Sequence, residues 1–400
     1  MRTLLIVLVA LLIAAPLSAQ TYRAQVEETG LNLSNEYSPT LTGDLLTVYF
    51  TSARTGGVGT RDIWMATRPS LDKPWGTAVV VKELSSTKDE SYVAVRADNL
   101  EIYFSSNIGT TSTYVNDIWV STRAKVTDPW GTPVLATALN SAVTTNTEDD
   151  PTLRADGLEI FFTSDRVGGS GAAIWRSTRK DLLSAWATPT VVAEVDTATT
   201  EHSPAISGDG LTLVYASTRT PGTGSSDHYI CTRKSVTSTF SASTELKEIN
   251  TTAWDHNGQQ SVDGFSFYYC YNDAARTPSL TRIYRADRIL PVVWAPKGAP
   301  VRGQMFEIYV RRDPGDAAIL VGSVYKSNPV TLPGITGTLE LNLSFIFWQV
   351  IRGADAEGKM TSLIPVPIAA ALQGVNIHFQ GAVQNASGVY ISPPLSTIIK

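Results

Sequence analysis

Alternating apolar and polar residues in short runs, each opened by turn residues, dominate the first 290 positions. Examples are D-N-L-E-I-Y-F-S-S from Asp98, D-G-L-E-I-F-F-T-S from Asp156 and D-G-L-T-L-V-Y-A-S from Asp209. Asp-Gly or Asp-Asn ahead of a two-residue period is a turn-then-strand signal. No helical period intervenes within these stretches, so antiparallel strands are predicted.

The runs recur in register. An Asp-Ile-Trp motif at Asp62–Trp64 and Asp117–Trp119 has counterparts at Ala173–Trp175, Asp227–Tyr229 and Arg282–Tyr284. Its aromatic residues stand at 64, 119, 175, 229 and 284, gaps of 55, 56, 54 and 55 residues. A fixed period of this length marks a repeat architecture. Each unit opens on an acid (Glu36, Glu90, Glu148, Glu201 or Asp255), continues through the alternating run and a Gly-rich loop into the Asp-Ile-Trp segment, and then meets Trp75, Trp130, Trp186 or Phe240. A fourth apolar segment follows, as in A-V-V-V-K-E-L from Ala78. Four short strands per unit describe one propeller blade.

The fifth unit lacks its fourth segment, and the stretch Arg23–Asn32 supplies one, with Leu31 aligned to Leu84, Leu139, Val195 and Ile249. The predicted fold is therefore all-β: a five-bladed propeller over residues 22–290, closed by the N-terminal strand so that no sheet edge is left open. A Pro- and Gly-rich connector is expected at 291–300, and strand-and-turn alternation over 301–400 predicts a small β-sandwich-like domain.

These landmarks, E-x-S-P-x-x-S-x-D-G-L-x-L-x-Y-x-S-x-R followed by D-I-W, resemble the TolB-type, WD40-like propeller repeat of bacterial extracytoplasmic proteins. The resemblance covers about two thirds of the chain. It implies the fold and leaves function open, since that repeat occurs in binding scaffolds, accessory modules and polysaccharide-degrading enzymes. The C-terminal run L-Q-G-V-N-I-H-F-Q-G-A-V from Leu372 resembles C-terminal β domains of unassigned function in secreted bacterial proteins.

Composition narrows the setting. Residues 1–19 have Arg2, an apolar run from Leu4 to Ala15 and small residues at Ser18 and Ala19, the layout of a secretory signal peptide. A periplasmic or secreted protein is expected, with no membrane span after cleavage. The net charge of −5 offers no basic field, so nucleic acid is not an expected partner. Cys231 and Cys270 are the only cysteines; an oxidising compartment would let them pair if their Cα atoms lie close, and two buried thiols are the leading expectation. The oligomeric state is not legible.

Candidate chemistry falls on one face of the ring, where inner strands begin and third strands begin. There stand the repeated acids Glu36, Glu90 and Glu148, the repeated Asp62 and Asp117, and the loop arginines Arg54, Arg166 and Arg219. A group needed alike in every blade suits loop bracing, carboxylates accepting from loop N–H groups. The alternative is an acidic ring that binds a divalent cation or a sugar. Departures from the pattern are sharper: Glu201, His202, Asp227, His228, Asp255 and His256 put three histidines beside acids in units four and five, where other units have Tyr37, Ser91, Asp149 or Ile. Such a set offers ligand binding, metal ligation or acid–base work. The motifs of serine hydrolases, zinc proteases, P-loops and dinucleotide folds are absent. The leading expectation is a non-catalytic scaffold that engages a protein or glycan through the loop face, with no cofactor beyond an optional divalent cation. The alternative is a carbohydrate-active enzyme, hydrolase or lyase, with its site on blades four and five.

Overall fold

The computed structural model describes residues 22–288 apart from 72, 111, 113 and 273–279, and beyond them the backbone of strands between 292 and 398. A short strand β1 (Val26–Glu27) precedes five sheets. Blade one is β2 (Glu36–Leu41), β3 (Thr47–Ser52), β4 (Asp62–Thr67) and β5 (Val79–Val80); blade two is β6 (Glu90–Val95), β7 (Glu101–Ser106), β8 (Asp117–Thr122) and β9 (Val134–Leu135). Blade three is β10 (Glu148–Leu153), β11 (Glu159–Ser164), β12 (Ala173–Thr178) and β13 (Thr190–Val191); blade four is β14 (Glu201–Ile206), β15 (Thr212–Ser217), β16 (Asp227–Thr232) and β17 (Thr244–Glu245). Blade five is β18 (Asp255–Gln260), β19 (Ser266–Asn272), β20 (Thr281–Asp287) and, as its outer strand, β1.

The protein is thus a five-bladed β-propeller whose N-terminal strand completes the last blade. Val26 pairs with Arg285 and Glu27 with Tyr284. Asn32 fastens the seam from its side chain, accepting from the Ile283 amide at 2.9 Å and donating to the Ile283 carbonyl at 3.1 Å. The aligned residues Leu31, Leu84, Leu139, Val195 and Ile249 are all buried. They follow outer strands of only two residues each, shorter than the apolar segments suggest, because the chain turns inward to bury these side chains.

Burial lies between blades. Tyr49 and Ile63 of blade one pack on Ile102, Phe104 and Trp130 of blade two, and Phe161 and Ile174 of blade three pack on Leu213, Tyr215 and Phe240 of blade four. A buried aromatic or branched side chain contributes roughly 1.5–3 kcal/mol, so each interface holds its neighbours through several such groups. At the end of the third strand in blades one to four an arginine lies on the following ring: Arg68 on Trp75 at 4.1 Å, Arg123 on Trp130 at 4.2 Å, Arg179 on Trp186 at 4.5 Å and Arg233 on Phe240 at 4.8 Å. Arg179 also reaches back to Glu101 of blade two at 2.6 Å. Cys231 and Cys270 are buried free thiols.

Past the propeller, Val292–Trp294, inside the stretch expected as a connector, pairs antiparallel with Met305–Arg311, which pairs with Lys359–Pro365. A second sheet is built on Asn376–Asn385 and Ala317–Ser323. The side-chain packing that would make these a sandwich, and the signal segment 1–19, lie outside the described residues.

Candidate functional site

The repeated acids brace loops. Glu36 is fully buried, accepts from the Leu33 and Ser34 amides at 3.1 and 2.7 Å, and pairs with Arg54 at 2.9 Å. Glu148 likewise accepts from the Ser141 amide at 3.1 Å and pairs with Arg166 at 2.9 Å. Glu201 accepts from the Thr197 amide at 3.0 Å and Ser217 at 2.9 Å, with Arg219 at 3.4 Å. Blade two has Ile108 where these arginines stand, and burial pushes the Glu90 carboxyl up to about 7. Asp255 accepts from the Thr251 amide at 2.7 Å, and burial raises it to about 7 as well. Asp62 accepts from the Val58 and Gly59 amides at 2.9 and 3.1 Å, and Asp227 from Gly224 at 3.0 Å. A side chain at Gly57 or Gly222 would overlap those carboxylates, which is why glycine stands there. Asp117 is half-buried at the equivalent place, and burial raises its carboxyl.

A different ring faces the axis. In every inner strand the register shifts after the second residue, and the third residue adopts a left-handed backbone: Ser38, Tyr92, Asp150, Ser203 and Asn257 have φ of 49, 54, 53, 51 and 52°. Such a bulge bends the strand and re-aims its side chains. These residues and the one after each, from Pro39 round to Gly258, line a narrow space at the axis with room for about one water.

Blade three puts two carboxylates into this ring with unlike surroundings. Asp150 accepts from the Ser203 amide at 3.2 Å, Ser203 Oγ at 3.3 Å, Thr163 Oγ1 at 3.3 Å and Asn257 Nδ2 at 2.8 Å. Asp149 turns toward blade two and accepts from Asn116 Nδ2 at 3.0 Å. Both are half-buried. Burial first, and then the charge of Asp150, pushes Asp149 up to about 7; burial pushes Asp150 to about 6 against the pull of its hydrogen bonds.

Two histidines complete the mouth. His202 bridges Ser203 Oγ and Ser226 Oγ, each at 3.0 Å, and stacks on Trp254 with ring centroids 5.4 Å apart. Trp254 is 45% exposed, so one part of its indole is open to solvent above the ring. His256 is hydrogen-bonded to Asn257 and stacks on Tyr37 at 6.0 Å. Burial depresses both imidazoles, His202 to about 3 and His256 to about 4, so they are neutral near pH 7. The Arg61 guanidinium lies 5.2 Å over the Tyr37 ring.

His228 is not at the mouth. It is fully buried between blades four and five, edge-on to Phe267 and Tyr269 at 5.1 Å each, with no hydrogen-bond partner on either ring nitrogen among the described residues. Of the residues singled out from sequence, His202 and His256 come together at the channel, whereas Glu201, Asp227, Asp255 and His228 are enclosed within blades. Asp149, Asp150, Trp254 and Arg61 were not singled out, although each departs from its counterparts in the other units. Among the described residues, no group of three or more His, Cys, Asp or Glu side chains is placed to hold a metal ion.

No family model and no curated protein sequence matches the chain. The chain bears a distant likeness to several solved structures. A thermostable family-43 glycoside hydrolase is 11% identical with a TM-score of 0.42, over 66% of this chain and 91% of its own. GH43B of the Bacteroides ovatus xyloglucan PUL is 11% identical with a TM-score of 0.40, over 93% and 92%. An alpha-L-arabinofuranosidase from Lactobacillus brevis is 11% identical with a TM-score of 0.41, over 64% and 91%. At these values the likeness says nothing about activity, and the five-bladed assignment stands on the strand pairing described above.

Proposed function

We propose that the protein is a carbohydrate-active enzyme that hydrolyses a glycosidic bond at the channel mouth. The observation that carries this reading is the Asp149–Asp150 pair, two half-buried carboxyl groups whose partners differ. Glycoside hydrolysis needs one carboxyl that holds its proton and one that has lost it. Four donors favour the ionised form of Asp150, while Asp149, pushed to about 7 by burial and by the charge of Asp150, keeps its proton longer. Asp150 borders the one-water space at the axis. In this reading it takes a proton from that water as the water attacks the anomeric carbon, and Asp149 delivers its proton to the departing oxygen. The open part of Trp254 offers a flat apolar surface for a sugar ring, held in place by His202.

The kinship of the repeat with the TolB type, and action outside the cytoplasm, belong to the same proposal. They rest on the repeated landmarks and on residues 1–19. A second reading, glycan binding without turnover, is favoured by the narrowness of the axis, which leaves a ligand across the mouth rather than inside it. A screen for reducing ends released from a polysaccharide panel separates the two. Release by the wild type that Asp150→Asn abolishes supports hydrolysis; retention of glycans on affinity gels with no release supports binding alone.

A further inference from the structure

We infer that the channel mouth takes a glycan bearing a carboxylate, a uronic acid, and that Arg61 is the residue that recognises it; this rests on the carbohydrate reading above.

In blades two and four the residue just before the third strand reaches a second inner-strand residue. Asn116 donates to Asp149 at 3.0 Å, and Ser226 bonds His202 at 3.0 Å. Arg61 occupies the same place in blade one and lies on Tyr37. It is therefore a mouth residue by the logic of the repeat.

Its charge is unlike that of other arginines in the ring. Arg54, Arg166 and Arg219 pair with the buried acids of their own blades, and Arg179 and Arg233 pair with Glu101 and Glu159. Arg68 and Arg123 donate to backbone carbonyls. Arg61 has no carboxylate within ion-pair distance and no side-chain hydrogen bond among the described residues. The partly exposed Arg61 keeps five donors in a planar fork that matches a carboxylate, and none of its nitrogens is among the buried unpartnered atoms of the described residues, so the fork is open to solvent and to a ligand. The Tyr37 ring beneath it attracts the cation and helps to hold the fork in place.

The anion belongs to the ligand and not to this chain, because the acids at the mouth have other partners. Asp149 is held by Asn116, and Asp150 by Ser203, Thr163 and Asn257. Trp254 with His202 on blades five and four, and Arg61 with Tyr37 on blade one, thus present a stacking surface and a cationic surface to one ligand, with the carboxyl pair of blade three at the same mouth. An acidic sugar fits both surfaces, and a neutral one leaves the guanidinium unpaired.

The test uses the full chain and oligosaccharides of galacturonate, glucuronate and mannuronate, each paired with its carboxyl-reduced form, with affinities measured by calorimetry. The expected result is tighter binding of at least one acidic form than of its reduced counterpart, by about tenfold or more for a charge-assisted pair. The preference should weaken with salt, be lost in Arg61→Gln, and be partly kept in Arg61→Lys, which retains charge without the fork. Unchanged thermal unfolding of the variants shows that the ring is intact. Equal affinity for acidic and reduced forms, or a preference that survives Arg61→Gln, overturns the inference while leaving the carbohydrate reading in place. Binding of neither form across the panel also overturns it, and release from neutral polysaccharides then shows whether the carbohydrate reading stands alone.

Discussion

Replacing His228 with isoleucine should stabilise the propeller, and more so in acid. The corresponding residues of the other blades are Ile63, Ile118, Ile174 and Ile283, so the backbone already accepts that side chain. A neutral imidazole brings one donor and one acceptor, and neither finds a partner here. Each unsatisfied group costs about 1–3 kcal/mol, while the edge-on contacts with Phe267 and Tyr269 return about 0.5–1.5 kcal/mol each. The net gain at pH 7 is about 2 kcal/mol by these terms. Burial depresses the folded pKa of His228 to about 3 against an ordinary value of 6.5. The unfolded chain therefore binds a proton that the folded chain refuses, and the stability linked to this group is complete above pH 6.5 and falls as pH drops toward 3. At pH 4.5 two pH units of that window have been crossed, worth about 3 kcal/mol at 1.36 kcal/mol per unit. His202 and His256 lie in both proteins and cancel from the difference. Urea unfolding of wild type and His228→Ile followed by tryptophan fluorescence should show a gap that widens from about 2 kcal/mol at pH 7 to about 5 kcal/mol at pH 4.5. A gap that stays constant with pH, or a variant less stable than wild type at both values, refutes the reasoning.

Two further outcomes follow from the same geometry. Activity, if carried by the blade-three pair, should trace a narrow bell, falling below about 6 as Asp150 takes a proton and above about 7 as Asp149 loses one; an optimum near pH 9 in a pH–rate series would contradict these roles. Gly258→Ala should lower stability by about 1–3 kcal/mol, because the added methyl would overlap the Phe267 ring; an unchanged melting temperature would show that the ring has room to move.

Much of the fold was legible because it repeats. Each landmark recurred in four or five units, and the missing fourth segment of unit five pointed to Arg23–Asn32 as its replacement. The site was less legible, for a local reason. Successive residues of a strand normally face opposite sides, but the left-handed third residue of each inner strand breaks that period, and none of the five is glycine. Asp149 was visible only as one member of a comparison with His202 and His256, and Asp150 not at all. Conversely, His228 drew notice as a titratable group at an isoleucine position, and that same alignment with buried isoleucines is what places it inside the blade interface. Phe267 illustrates compensation across the fifth blade: it stands where the other blades carry Val48, Ile102, Ile160 and Leu213, and Gly258 replaces Pro39, Val93, Pro151 and Pro204 to make room for it.

The seam between β1 and β20 also sets an order of events. The strand translated first is the one placed last, since Asn32 and its partner Ile283 are 251 positions apart. Until Asp287 has been made, four complete blades stand beside a fifth with nothing to close it, and β20, once formed, offers bare N–H and C=O groups to whatever strand arrives. Return of the chain's own beginning satisfies that edge within one molecule. Loss of residues 23–32 by proteolysis would leave that edge open to pairing with another copy, so the integrity of ten residues near the N-terminus decides whether the ring closes within its own chain.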